Sequence, residues 1–209
     1  DSGGIANFQT IFNLVTAIVL VPFADMLVKL SLLFVKEDKP SEDKHPELHT
    51  LDEKLFNSPA VAVGVTVKAV AAMGNIAKAN FEKACNVLKK YDPVLVSEIN
   101  EDEPYLDQFK DNADRFLVGL SKAVETEWDD RQMDMLIQTV PAFERVGDYA
   151  TNLVELADRL QSENTTFSDM AKQELNIICA AVNEILNITV EAFANEDNEA
   201  AKAIEPLEE

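Results

Sequence analysis

Glu144, Asp148, Asn152 and Glu155 follow one another at steps of four, four and three. On a helix those steps set four oxygen-bearing side chains in one stripe, each about one turn from the next. Oxygens one turn apart are close enough to share a hard cation or to hold two neighbouring ones. No Cys or His stands beside them, so the donor set suits a divalent or trivalent ion such as magnesium, calcium, manganese or iron, and not zinc. Two carboxylates do not fill a shell of six or more ligands, so water or another segment must complete it. The plain alternative is a solvated acidic face on a bundle helix.

The stripe lies on the longest regular pattern in the chain, from about Trp128 to Leu160. Met133, Leu136, Val140, Phe143, Gly147, Ala150, Val154 and Ala157 recur there at alternating steps of three and four, which is the buried seam of an amphipathic helix. The acidic stripe is centred roughly 140° around the helix from that seam. Pro141 falls inside the pattern and should kink the helix, because it removes one backbone hydrogen bond and crowds the preceding turn.

The run Glu144-Arg145-Val146-Gly147-Asp148-Tyr149-Ala150-Thr151-Asn152 resembles the PhoU family, whose helical repeats carry E/D-x-x-x-D in an ERxGD(H/Y)AxN context. The resemblance implies a metal-binding surface lined by that motif, with the rest of the ligands supplied by the matching helix of a second three-helix repeat. Lys68 stands where the family tends to carry an acid, which argues against a metal role for its helix. A second resemblance lies upstream. Ala6-Asn7-Phe8-Gln9-Thr10-Ile11-Phe12-Asn13, followed by Pro22, is similar to the last membrane segment of bacterial sodium/phosphate cotransporter-like proteins, which read A-x-x-H-x-x-F-N and often continue into a PhoU-like domain. The run from Leu51-Asp52 to Ser58-Pro59-Ala60 resembles the entry to that domain. This implies a phosphate transporter of the inner membrane, with sodium and inorganic phosphate as its cargo. Asn7, Gln9 and Asn13 would lie on the transport path, and the membrane domain of the same protein would be the partner of a cytoplasmic bundle. Gln9 replaces the family's His, so that one contact departs from the pattern.

Bulk properties agree with a globular cation-binding protein. The 209 residues are 47% hydrophobic with 6 glycines and carry a formal charge of −20. That charge excludes nucleic acid as a partner, because phosphates would be repelled. Cys85 and Cys179 stand far apart within helical patterns with no CxxC pairing and read as buried, reduced thiols.

Residues 3–24 hold no charge, and apolar character continues to Val35 with only Asp25 and Lys29 between. This is the length of a membrane helix, with Asn7, Gln9, Thr10 and Asn13 expected against other protein. Cut off from such protein, that helix would self-associate or take detergent. Residues 37–57 read as a charged linker whose lysines favour the cytoplasmic side. Its histidines, His45 and His49, read as a solvated pair.

The expected fold is all-α. Helices near 59–90, 104–124 and 128–161 form an antiparallel three-helix bundle, a PhoU-like repeat over 58–162. Residues 163–209 begin a second repeat with a helix near 167–194. Ser58 caps the first helix through its hydroxyl, although Val61, Val63, Val65 and Val67 alternate like a strand. Pro104 starts the second, and Thr166 with Asp169 caps the fourth. Seams run through Met73, Ile76, Asn80, Ala84, Val87 and Tyr91, then Leu106, Phe109, Ala113, Phe116, Leu120 and Val124, and last Met170, Leu175, Ile178, Val182, Ile185, Ile188 and Ala192. Phe116, Leu120, Phe143 and Val154 belong to the core. An enzyme is not expected. Di-metal oxidase bundles need inward Glu and Glu-x-x-His pairs, and neither histidine sits near a plausible Ser or Cys nucleophile.

Overall fold

The computed structural model describes residues 8, 9, 12, 16, 44–124, 126–204 and 206. The chain divides into two compact units, Asp1–Lys44 and His45–Glu209. In the first, Phe8, Gln9, Phe12 and Thr16 are helical, and the rings of Phe8 and Phe12, one turn apart, stack with centroids 6.4 Å apart. Gln9 is exposed. Asn7, Thr10 and Asn13, the rest of the expected membrane helix and residues 37–43 of the linker lie outside the described residues.

Four long helices make up the second unit: α1 (Pro59–Lys89), α2 (Pro93–Leu120), α3 (Glu127–Ser162) and α4 (Asp169–Asn195), followed by a single turn, α5 (Asn198–Ala201). No strand occurs among the described residues. α1, α2 and α3 form the antiparallel bundle, and α4 packs on α1. The periodicity of α3 is the reason the bundle forms. Its buried residues are the eight of the predicted seam, joined by Asp129 in the first turn. Thr126 accepts from the Asp129 backbone N–H at 3.1 Å and donates its hydroxyl to Asp129 Oδ2 at 2.6 Å, a reciprocal cap that fixes where α3 begins. α3 continues through Pro141 as one helix.

The alternating valines of α1 are helical. Val63 and Val67, one turn apart, are buried, whereas Val61 is exposed. Of the small residues between them, Ala62 and Thr66 are buried and Gly64 is exposed. Pro59 occupies the first helical turn as expected, but the Ser58 hydroxyl makes no capping bond. Its backbone N–H instead closes the preceding turn on the Leu55 carbonyl at 2.9 Å.

α2 departs most from expectation. It begins at Pro93, with Asp92 accepting from the Val94 N–H at 2.9 Å, and Pro104 lies inside it. The seam extends upstream through Ile99, Asp102 and Leu106 at steps of three and four, and all three are buried. A buried acid in that seam and an internal proline hid the first three turns. Pro104 and Asn100 are both exposed, so the carbonyl that Pro104 leaves without an amide partner is within reach of water. The seam of α4 also shifts. Ser168, not Thr166, provides the cap, accepting from the Ala171 N–H at 3.2 Å. Cys179, Leu186, Val190, Ala192 and Phe193 are buried, while Met170 and Ile178 are exposed. α4 packs mainly on α1 and also meets α3 where Phe193 touches Phe143, and its apolar residues extend past that face to exposed Met170, Ile177 and Ile178, so periodicity alone could not select its contact face.

α1 and α4 are both long and apolar enough to cross a membrane by length and composition, yet 56% of the most apolar stretch of α1 is buried against 28% for α4. α1 is therefore the central helix of a bundle. Cys85 on α1 and Cys179 on α4 are both buried. Burial, helped by a hydrogen bond with Cys179, pushes the Cys85 thiol up to about 12, which leaves it protonated and unreactive.

The linker boundary also moves. Residues 45–57 fold as two short 3-10 turns, Pro46–His49 and Glu53–Asn57, and Leu48 is buried in the main core. His45 is not solvated: its side chain is 13% exposed and bonds Asp102. His49 remains exposed.

Gly74 is set by contact rather than by backbone conformation. A Cβ there would lie 2.7–3.0 Å from three ring atoms of Phe143. Alanine would gain about 1 kcal/mol of helix propensity. The Phe143 ring, 3% exposed, has nowhere to retreat, and overpacking of this kind costs about 1–3 kcal/mol. Gly74→Ala is therefore expected to lower the melting temperature by a few degrees. A rise would show that the ring can move aside.

Candidate metal centre

Gly147 places the site. A Cβ at that position would sit 2.6 Å from Leu106 Cδ1, so the absence of a side chain lets Leu106 of α2 lie against the backbone of α3. Leu106 is 2% exposed, and the next residue, Asp107, is thereby delivered to Glu144 and Asp148, which flank Gly147 by a few residues on either side. One carboxylate oxygen from each of Asp107, Glu144 and Asp148 lies within 4.8 Å of the others. Asp107 is exposed and the other two are half-buried.

A fourth acid lies nearby. Glu103, one turn before Asp107, is half-buried and within electrostatic reach of Asp107 and Asp148. Glu103 and Asp107 on α2 repeat the E-x-x-x-D spacing of Glu144 and Asp148 on α3. Burial first, then the charges of Asp148 and Asp107, raise the Glu144 carboxyl above its ordinary range, with Lys110 and Arg145 partly offsetting them. Glu103 is raised by burial first and then by Asp107 and Asp148. Lys110 is itself engaged with Asp111 and Asp114, each at 3.5 Å.

The structure brings together two of the four predicted residues of the stripe and adds Asp107. Glu155 is not part of the cluster, and Asn152 lies a turn beyond it. Both are exposed. The family resemblance implies completing ligands from a second repeat, whereas the adjacent helix of the same repeat brings a carboxylate to this position. The signal was present: Glu103-Pro104-Tyr105-Leu106-Asp107 repeats the spacing of Glu144–Asp148. Pro104 masks it, because a proline there reads as a helix start and not as the interior position it occupies. The departure at Lys68 fits this arrangement, since that residue is exposed on α1 and the cluster is built by α2 and α3.

These residues fit a hard cation. Oxygens on opposite sides of a calcium-sized ion stand about 4.6–5.2 Å apart at ordinary bond lengths, so a 4.8 Å spread is within ligation range. The set is all oxygen, which favours magnesium, calcium or manganese over zinc or copper. Without an ion, the raised carboxyls make the site a liability. A carboxyl whose folded value lies above its unfolded value binds protons more readily when folded. Stability is therefore lost as pH rises from the ordinary Glu range, about 4.3, through the raised folded value, and the deficit persists at neutral pH. In chelator-treated protein near neutral pH, Glu144→Gln should therefore be slightly stabilising, by about 0.2–0.5 kcal/mol for each like-charge pair relieved. The gain should shrink on acidification through that window. A destabilised variant at neutral pH would contradict this.

Residues 70–157 match the PhoU domain family. Over 205 residues, 94% of this chain, the sequence is 22% identical to a Salmonella typhimurium protein named Putative inorganic phosphate export protein YjbB. The chain spans 36% of that relative's length. No solved structure gives a significant match.

Proposed function

We propose, from the premise that residues 70–157 form a PhoU domain, that this chain is the regulatory part of a sodium-dependent phosphate transporter. In this reading residues 1–36 are the last membrane helix, the bundle lies on the cytoplasmic side of the inner membrane, and Asn7, Gln9 and Asn13 line the transport path. The bundle binds a divalent cation through Asp107, Glu144 and Asp148 and reports on it to the membrane domain of the same protein, without catalysing a reaction. The observation that carries this is the meeting of Asp107 with the Glu144–Asp148 pair within the family-matched stretch. Support for the transporter comes from the relative, whose name concerns inorganic phosphate and whose similarity covers 94% of this chain, the N-terminal segment as well as the bundle.

The test separates the membrane reading from that of a PhoU-type adaptor with no membrane role. Residues 1–209 should sediment with membranes and need detergent, while residues 45–209, which start where the second compact unit starts, should stay in solution. If 1–209 remains a dilute monomer without detergent, the adaptor reading replaces the transporter. Within a longer transporter carrying this chain, Glu144→Gln with Asp148→Asn should alter sodium-driven phosphate flux into vesicles without abolishing it. Unchanged flux would remove the regulatory role.

A further inference from the structure

Residues His45–Asn57 cross the outside of the bundle as a strap held at three points. At its start, His45 Nε2 lies 3.0 Å from Asp102 Oδ1, and the ring meets Tyr105 edge-on at 5.2 Å. In the middle, Leu48 enters the core at 3% exposure. At its end, the Phe56 ring lies 5.0 Å from that of Phe116 and fills the space over Gly119, where a Cβ would come within 2.6 Å of it. Between these points Leu51 and Leu55 are only partly buried against the core. A cavity of about 300 Å³ separates Leu48, Leu51 and Glu53 from Asn112, Arg115 and Phe116. Another of about 490 Å³ opens beside Phe56 and Asn57. An element with few buried side chains and space beneath it belongs to the low-stability end of a fold.

The strap packs on both α1 and α2, and its first anchor meets the middle of α2, beside the acids. The Asp102 side chain is 5% exposed, and besides His45 it faces Lys83 of α1 at 3.9 Å, which also pairs with Glu98 at 2.9 Å. Strap and α1 together therefore hold this part of α2 in place. Asp107, five residues after Asp102, belongs to the cluster with Glu144 and Asp148, and Glu103, the residue next to Asp102, stands beside it, so that like charges push α2 away from α3. A cation among those carboxylates would turn that repulsion into a tie. Strap docking and cation binding would then favour the same position of α2.

We propose that the strap and the carboxylate cluster are coupled through α2: a bound cation tightens the strap, and the docked strap raises cation affinity. The inference rests on the cation reading above. By linkage the two effects have the same factor. The chain before residue 45 can act on the bundle covalently only through this strap, so a pull there would be felt as a change in cation affinity, and the converse.

Manganese(II) is a suitable probe, titrated by calorimetry into the full chain in detergent, with hydrogen exchange followed at the amides of residues 47–57. Saturating manganese should slow that exchange at least about fivefold, the lower end of typical coupling factors. The slowing should vanish in the Glu144→Gln, Asp148→Asn double variant. His45→Ala, which removes the contact of the strap with Asp102, and Leu48→Ala, which changes no charge, should each weaken manganese binding by a similar factor while leaving far-ultraviolet circular dichroism unchanged. If manganese binds but strap exchange is the same with and without it, or if both strap variants bind with unaltered affinity, the coupling is overturned and the cation reading stands. If the unaltered chain binds no manganese, both fall. Should a variant fail to fold, the exchange measurement on the unaltered chain decides.

Discussion

Truncating Phe143 to alanine should lower the unfolding free energy by about 3–5 kcal/mol, the usual cost of removing a buried aromatic ring. The ring is 3% exposed and joins three helices. It stands on α3, covers Gly74 of α1 so closely that an added Cβ would meet the ring, and meets Phe193 of α4 edge-on with centroids 5.8 Å apart. Its loss would leave a cavity that cannot collapse easily, because Gly74 has no side chain to fill it and both neighbouring helices are fixed elsewhere by the core. The aromatic pair adds about 0.5–1.5 kcal/mol beyond the area buried. Urea denaturation of the unaltered chain and the variant measures the difference. A loss below about 1 kcal/mol would mean that the seam of α3 does not bear on the stability of the bundle.

Glu144→Gln combined with Asp148→Asn should weaken divalent cation binding by more than the roughly 10–100-fold that loss of an outer-shell partner costs. Asp107→Asn should do the same singly. Asp107 is the informative position. It lies on another helix, outside the ERVGDYATN run, and reaches the site only if α2 and α3 pack through Leu106 and Gly147 as they do here. Because the ligands must be ionised to bind and Glu144 is raised above its ordinary range, affinity should fall on acidification at a higher pH than for an ordinary glutamate. Isothermal titration with manganese or calcium at neutral and mildly acid pH measures both effects. Equal binding by Asp107→Asn and the unaltered chain would show that α2 takes no part, and equal binding by the double variant would reduce the stripe to a solvated face. Together with the slight stabilisation expected of metal-free Glu144→Gln, these outcomes have opposite signs. That pattern marks a site held at some cost to the fold.

The sequence by itself determined the seam of α3, because eight apolar or small residues at alternating three and four steps admit only one buried face. It determined the packing of Phe116, Leu120, Phe143 and Val154 for the same reason, and two of the three clustered carboxylates, because the spacing of Glu144 and Asp148 is local to one helix. Tertiary structure decided the rest. Whether Asp107 or Glu155 joins Glu144 depends on which helix lies alongside, and that is fixed by the gap at Gly147. The start of α2 depended on Asp102, a charge that is buried only because His45 from the strap and Lys83 from α1 meet it there. The contact face of α4 depended on what covers it, because a helix whose apolar residues extend past one face carries no single periodic instruction. Residues 45–57 read as a solvated linker by composition, and only the groove along α2, with Gly119 leaving room for Phe56, made them part of the bundle.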